Sequence, residues 1–182
     1  MRPARGRDGA GGSSAALRVG PAAGIPADAG RLTFREGSDE EFPDAFARVS
    51  ADSLDEATRD ELRTEVARQV AEEDMGFYLD CLGEHRWWKL AELPGGTLAG
   101  LAVPSAAPYQ RNVGNRGVAL EQRGKGLIDE IPGEITRFHA LEGAERVTAT
   151  TDTASIPKAA AFDRAGYRVT EVRMVLEGPG AV

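Results

Sequence analysis

Cysteine is almost absent from this sequence. Cys81 stands alone, which excludes an intrachain disulfide framework and a zinc knuckle. Histidine is nearly as scarce. His85 and His139 lie 54 residues apart without metal-ligand spacing, so no metal site is expected. No apolar stretch approaches the ~20 residues that cross a bilayer, and the first residues form no hydrophobic signal core. The expectation is a cytoplasmic protein with no membrane partner. Positive charge is also in deficit. Lys and Arg number 22 against 29 Asp and Glu, a net charge of −7. General nucleic-acid binding draws most of its affinity from phosphate neutralisation, so no nucleic-acid partner is expected.

What remains is the composition of a soluble globule, 41% hydrophobic and 28% charged over 182 residues. A chain of this mass can bury roughly 70% of its extended surface, enough for one core. Residues 1–30 hold seven glycines and three prolines, with only Met1, Leu17, Val19 and Ile25 as large apolar side chains. So little burial does not offset backbone ordering, and a disordered leader is expected there. Arg2, Arg5, Arg7 and Arg18 would suit a targeting peptide, but the glycines break the amphipathic helix that one needs. A single domain is expected over 31–177, with a frayed end over 178–182.

Within that domain, Leu32 and Phe34 alternate as a short strand. Phe42, Phe46 and Val49 mark a helix with Pro43 in its first turn. Ser53 and Glu56 form a capping box, behind which Leu62, Val66 and Val70 predict a second helix to about Glu73. A short helix follows over Phe77 to Leu82. Trp87 to Leu93 and Thr97 to Val103 read as a hairpin around Gly95 and Gly96. A loop with Tyr109 leads to a strand near Asn115 to Leu120. Ile128, Ile131, Ile135 and Phe138 share one helix face, bent at Pro132. Val147 to Thr151 is a strand, Ser155 to Ala165 a helix ended by Gly166, and Tyr167 to Glu177 a last strand. This order predicts an α/β architecture, a mixed sheet with helices on both faces.

The chemistry sits after Leu120. In Val118-Ala119-Leu120-Glu121-Gln122-Arg123-Gly124-Lys125-Gly126-Leu127-Ile128, an apolar strand enters a two-glycine bend and a helix follows at once. Such a bend presents amides without partners, a cradle for phosphate oxygens helped by the positive end of the helix. Leu127 follows Gly126 where a P-loop needs Lys, and Asp129 stands where a dinucleotide fingerprint needs its third glycine. An ordinary basic turn with a glycine breaker is the competing reading of these residues.

The stretch Gln122-Arg123-Gly124-Lys125-Gly126-Leu127 resembles the acetyl-CoA-binding motif of the GNAT superfamily of N-acetyltransferases. Downstream, Thr151 to Lys158 and Ala159 to Tyr167 resemble that family's closing helix and its Leu-Gly-Phe/Tyr signature. The likeness covers about residues 31–177 and is to a bacterial subgroup of unassigned substrate. It implies a mostly antiparallel central sheet in the GNAT arrangement. It also implies acetyl-CoA as cosubstrate, with a pyrophosphate cradle at the amides of Arg123, Gly124, Lys125, Gly126, Leu127 and Ile128. The pantetheine arm would run beside Val118, Ala119 and Leu120, in a cleft opened where two parallel strands splay. Ser155 falls where an asparagine commonly contacts that arm. Three departures stand out. Ile128 replaces a small residue, Pro132 interrupts the cofactor-side helix, and Phe162 occupies the place of a proton-donating tyrosine. A phenyl ring has no proton to give.

The implied reaction is attack of a primary amine, on a small molecule or peptide, upon the thioester in a ternary complex. Amides around Ala119 and Leu120 are candidates for polarising the carbonyl. Asp152, Glu121 and Tyr109 are the candidates for catalytic side chains, and none is singled out by sequence. Cys81 reads as a small core residue, Tyr78 as a packed aromatic or a cavity wall, and Trp87 and Trp88 as pointing to opposite faces. Residues 36–74 carry fourteen acids and four arginines, a balance that suits either a cationic acceptor or a solvated helix surface. A homodimer accords with the family. A non-catalytic acyl-CoA sensor, or an interaction domain that kept the fold without the ligand, are the alternatives.

Overall fold

A computed structural model describes residues 13–20, 24 and 30–174. In chain order the elements are β1 (Ser13–Val19), β2 (Thr33–Arg35), α1 (Glu41–Ser50), α2 (Glu56–Thr64), α3 (Ala67–Asp80), β3 (Lys89–Glu92), β4 (Leu98–Ala107), β5 (Gln110–Val118), α4 (Glu130–Leu141), β6 (Val147–Asp152), α5 (Ile156–Arg164) and β7 (Arg168–Met174). The strands form one sheet in the order β2-β3-β4-β5-β6-β1-β7. Neighbours pair antiparallel except β5 and β6, which run parallel. Period-two alternation sends Leu90, Leu101 and Val103 to one face, where they meet Phe42, Phe46 and Val49 of α1 and Ala71 of α3. Ala99, Val118 and Ala149 face the other way, onto Ile131 and Ile135 of α4 and Phe162 of α5. The mixed, mostly antiparallel sheet with helices on both faces is the architecture expected from the sequence.

β1 departs from expectation. Ser13–Val19 was expected within a disordered leader, yet it lies inside the sheet, antiparallel to β6 on one side and β7 on the other. Both rows of its backbone polar groups are thereby satisfied, and Ala15, Leu17 and Val19 are buried at period two. Two flanking strands compensate for its small side chains. The rest of the expected leader, residues 1–12, 21–23 and 25–29, and the expected frayed end at 178–182 lie outside the described residues.

Other differences are local. The predicted helix through Leu62, Val66 and Val70 is two helices, because Val66 is extended and 65% exposed at the start of α3. The expected short helix after Phe77 is the end of α3. Asp55, rather than Ser53, caps α2 through Thr58 N at 3.1 Å, since Ser53 Oγ accepts from Asp55 N. Pro132 is the third residue of α4, where its missing N–H breaks no helical bond. The Pro- and Ala-rich loop before Tyr109 is strand. Pro104 is accommodated where the β4–β5 register shifts, next to Ala102.

Candidate functional site

β5 and β6 pair only at Arg111↔Val147 and Asn112↔Thr148. Beyond that the two strands diverge, as expected, and the chain leaves β5 through short 3-10 turns at Leu120–Gln122 and Leu127–Asp129. Gly124 and Gly126, with φ of 77° and 70°, adopt the left-handed conformation that glycine takes without strain. Among the described residues, the amides of Gly124, Lys125, Gly126, Leu127 and Ile128 meet no acceptor. Five adjacent amides at the approach to α4 therefore lack a hydrogen bond among the described residues.

The bend has a brace that sequence reading missed. The Arg31 guanidinium donates to Lys125 O at 3.2 Å and Gly126 O at 2.8 Å, engaging two carbonyls of the bend. Glu130, its side chain only 3% exposed, holds Arg31 in turn. Its carboxylate accepts from Arg31 Nε at 2.5 Å and from the amides of Arg31 and Leu32 at 3.1 Å each. Nothing in the local pattern announces a pairing between residues 99 apart in the chain.

Arg123 was expected in the cradle, and the structure gives it another task. Its amide donates to Leu120 O at 3.2 Å. Its guanidinium donates four hydrogen bonds, to the carbonyls of Val118, Val49, Ala51 and Asp52, at 2.7 to 3.2 Å. It pins the loop after α1 to the end of β5. That grip includes Asp52, whose φ of 48° is one that non-glycine residues rarely adopt. Lys125 is exposed and donates to Gln122 Oε1 at 2.6 Å.

A cavity of about 480 Å³ opens in front of the bend. One wall is Val49, Ser53 and Leu54, a second is Gly117 and Val118 at the end of β5, and a third is Ser155, Pro157 and Lys158 of α5. Ile128 lines it while also packing against the core, and Arg164 spans its rim to Asp129 at 2.5 Å. Gly117 leaves no room for a side chain, since a Cβ there would stand 2.3 Å from Val49 Cγ1. Ser155 is buried at the head of α5 and makes no capping bond.

The remaining expected residues scatter. Phe162 does not reach the cavity. It is fully buried and meets Tyr167 edge-on, at 4.9 Å between ring centroids. Arg116 crosses the splay above it, its guanidinium 4.7 Å from the Phe162 ring and Nη2 donating to Thr150 O at 2.7 Å. Burial pushes the Tyr167 hydroxyl up to about 12, and Thr136 Oγ1 lies 2.7 Å from it. The Ala119 amide is committed to Ala99 O at 2.8 Å, whereas that of Leu120 meets no acceptor among the described residues. Asp152 accepts from Glu56 N at 3.0 Å and Ala154 N at 2.7 Å, so both its oxygens hold backbone. Glu121 is exposed and paired with Arg48, which holds its carboxyl below the usual range. Tyr109, 94% exposed, sits at the opposite end of β5. Among the described residues there is no His/Cys/Asp/Glu group that would hold a metal, and no helix long and apolar enough to cross a membrane.

Lys158 was not singled out from sequence. It lies one turn before Phe162 on α5, is half-buried, and lines the cavity. Burial, then the charge of Arg116, lowers it from 10.5 to about 8.

No protein-family model matches the sequence. No curated protein shows significant similarity to it. Solved structures do resemble it. A GCN5-related N-acetyltransferase from Sphaerobacter thermophilus superposes with a TM-score of 0.63 at 16% identity, over 90% of this chain and 50% of its own. A GNAT-family acetyltransferase from Colwellia psychrerythraea gives 0.63 at 13% identity, over 91% and 56%. A tandem GNAT protein from the clavulanic acid biosynthesis pathway gives 0.52 at 15% identity, over 93% and 55%. The chain thus spans about half the length of these structures. Its fold is that of the GNAT N-acetyltransferases.

Proposed function

We propose that this chain is an N-acetyltransferase that transfers the acetyl group of acetyl-CoA to a primary amine of a small molecule or peptide. The observation that carries the reading is the row of five amides, Gly124 to Ile128, without a hydrogen bond among the described residues, in a bend that Arg31 braces and that lines a cavity. Donors of this kind fit a diphosphate, which accepts several hydrogen bonds and is stabilised by the approach to a helix N-terminus. The cavity beside Val118 and Ser155 is of the size that holds a flexible arm. When bound, acetyl-CoA supplies an activated acyl group on a thiol that leaves readily.

The protein's contribution is mostly placement. The splay of β5 from β6 gives thioester and amine a common space, and a shared cleft replaces a bimolecular encounter. Of the two amides considered for the carbonyl oxygen, the Leu120 N–H is the one without an internal acceptor. Asp152, Glu121 and Tyr109 are each engaged or remote, so the amine gives its proton to water in this reading. An acidic balance over residues 36–74 favours a cationic acceptor.

The test is thermal unfolding with and without CoA. At a hundred times Kd, binding to the native state adds about 2.7 kcal/mol, a rise in Tm of roughly 5–10 °C. Thiol release across a panel of amines then reads transfer. A second reading, a sensor that binds acyl-CoA without transferring it, is favoured by the burial of Phe162. It predicts the same Tm rise with no amine-dependent thiol release.

A further inference from the structure

Thioester aminolysis leaves a thiolate that must be protonated, and the described cavity offers one group suited to the task. Lys158 lines it, half-buried, and among the described residues forms no hydrogen bond or ion pair. The other cations at the cavity are engaged. Arg123 donates to four carbonyls, and Arg164 is paired with Asp129. Arg116, which does not line the cavity, donates to Thr150 O and Gly114 O, its buried Nε alone without a partner. An unpaired ammonium beside other cations is a costly arrangement, and it points to a negative charge arriving from a ligand.

Resting on the acyltransferase reading above, we propose that Lys158 is a catalytic residue, the general acid that protonates the departing thiolate. The acceptor nitrogen forms its bond to the acyl carbon as the carbon–sulfur bond breaks and sulfur takes the electron pair. Lys158 Nζ then gives a proton to sulfur and is left neutral. The acceptor nitrogen loses one proton to water, and water returns one to Lys158 before the next turnover. Reactants and products balance as thioester plus amine to amide plus thiol.

The chemistry of the surroundings agrees. The charged groups acting on Lys158 are Arg116 on β5, Arg123 in the bend, Asp55 ahead of α2 and Asp152 at the end of β6. The two arginines press the proton off and the two carboxylates retain it, while burial has the largest effect. An ammonium at about 8 is mostly protonated at neutral pH. It is also close to the ~8.5 of an ordinary thiol, so proton transfer is near balance.

The experiment titrates the thiol of bound CoA by thiolate ultraviolet absorbance in the full chain, alongside kcat. Three proteins are compared: wild type, Lys158→Met and Lys158→Arg. In wild type the cation lowers the bound thiol by about one pH unit relative to Lys158→Met, and the two groups titrate as a coupled pair. Lys158→Arg keeps the low thiol because it keeps the charge, yet loses about a hundredfold or more in kcat because a guanidinium does not release its proton. CoA affinity stays within about threefold in both variants, as an acid at sulfur leaves the diphosphate grip alone. A bound thiol that titrates alike in wild type and Lys158→Met overturns the inference, as does full kcat in Lys158→Arg. Loss of CoA binding in Lys158→Met makes the residue a cofactor ligand and overturns it too. Failure of wild type itself to bind CoA overturns the acyltransferase reading, and this inference with it.

Discussion

The two ends of β5 differ in one respect that organises the molecule: one is closed and the other open. At the start, Arg111 and Asn112 pair with β6, and His139 Nε2 meets Asn112 O at 3.0 Å. At the far end the ladder has stopped, and side chains instead of paired backbone bridge the strands and loops. Arg116 props the gap, Arg123 anchors the α1 loop, and the Arg31–Glu130 pair turns the bend. The lesson is that charged side chains do structural duty at the open end so that backbone amides stay available.

Three predictions probe this contrast. The largest effect belongs to the closed end. Burial pushes His139 from 6.5 down to about 4, against a small upward pull from the Asn112 carbonyl. Between those values the unfolded chain binds a proton that the folded chain refuses. Stability is therefore full above about pH 6.5 and is lost as pH falls toward 4, by about 3 kcal/mol. Urea unfolding from pH 4 to 7 reads this slope, which flattens in His139→Gln.

A smaller effect is expected at the open end. Glu130→Ala removes a buried carboxylate that accepts three hydrogen bonds, two of them from backbone amides. The loss is about 2 kcal/mol, because Arg31 is half-exposed and water compensates it. CoA affinity falls further than stability does, since the bend loses its orientation. Calorimetry on Glu130→Ala at a temperature where it remains folded separates the two. Equal losses would mean that the pair braces the fold without aiming the amides.

The smallest effect is none. Tyr109→Ala, at the hairpin tip beside the closed end, leaves kcat/KM within about twofold. A tenfold loss would place the acceptor at the wrong end of β5.

The sequence made the open end partly readable. Gly124 and Gly126 announced a bend, which the structure makes at positive φ, and the apolar run to Leu120 announced the strand that feeds it. These are local signals. The Arg31–Glu130 pair, the four carbonyls on Arg123 and the Lys158 stem all depend on which distant segments meet, and no spacing rule reports that. β1 was missed for a related reason. Ala15, Leu17 and Val19 do alternate, but seven short residues become a stable strand only between β6 and β7. The Leu62, Val66 and Val70 spacing misled in the opposite direction, since periodicity continues across a break that the Glu65–Val66 backbone makes.

Backbone amide resonances of Gly124 to Ile128 can be followed by ¹⁵N NMR during titration with CoA and separately with pantetheine. A bend that grips the diphosphate shifts these five amides strongly with CoA and not with pantetheine, which has no diphosphate. Five unmoved resonances in a protein that binds CoA would mean that the bend does not hold the diphosphate.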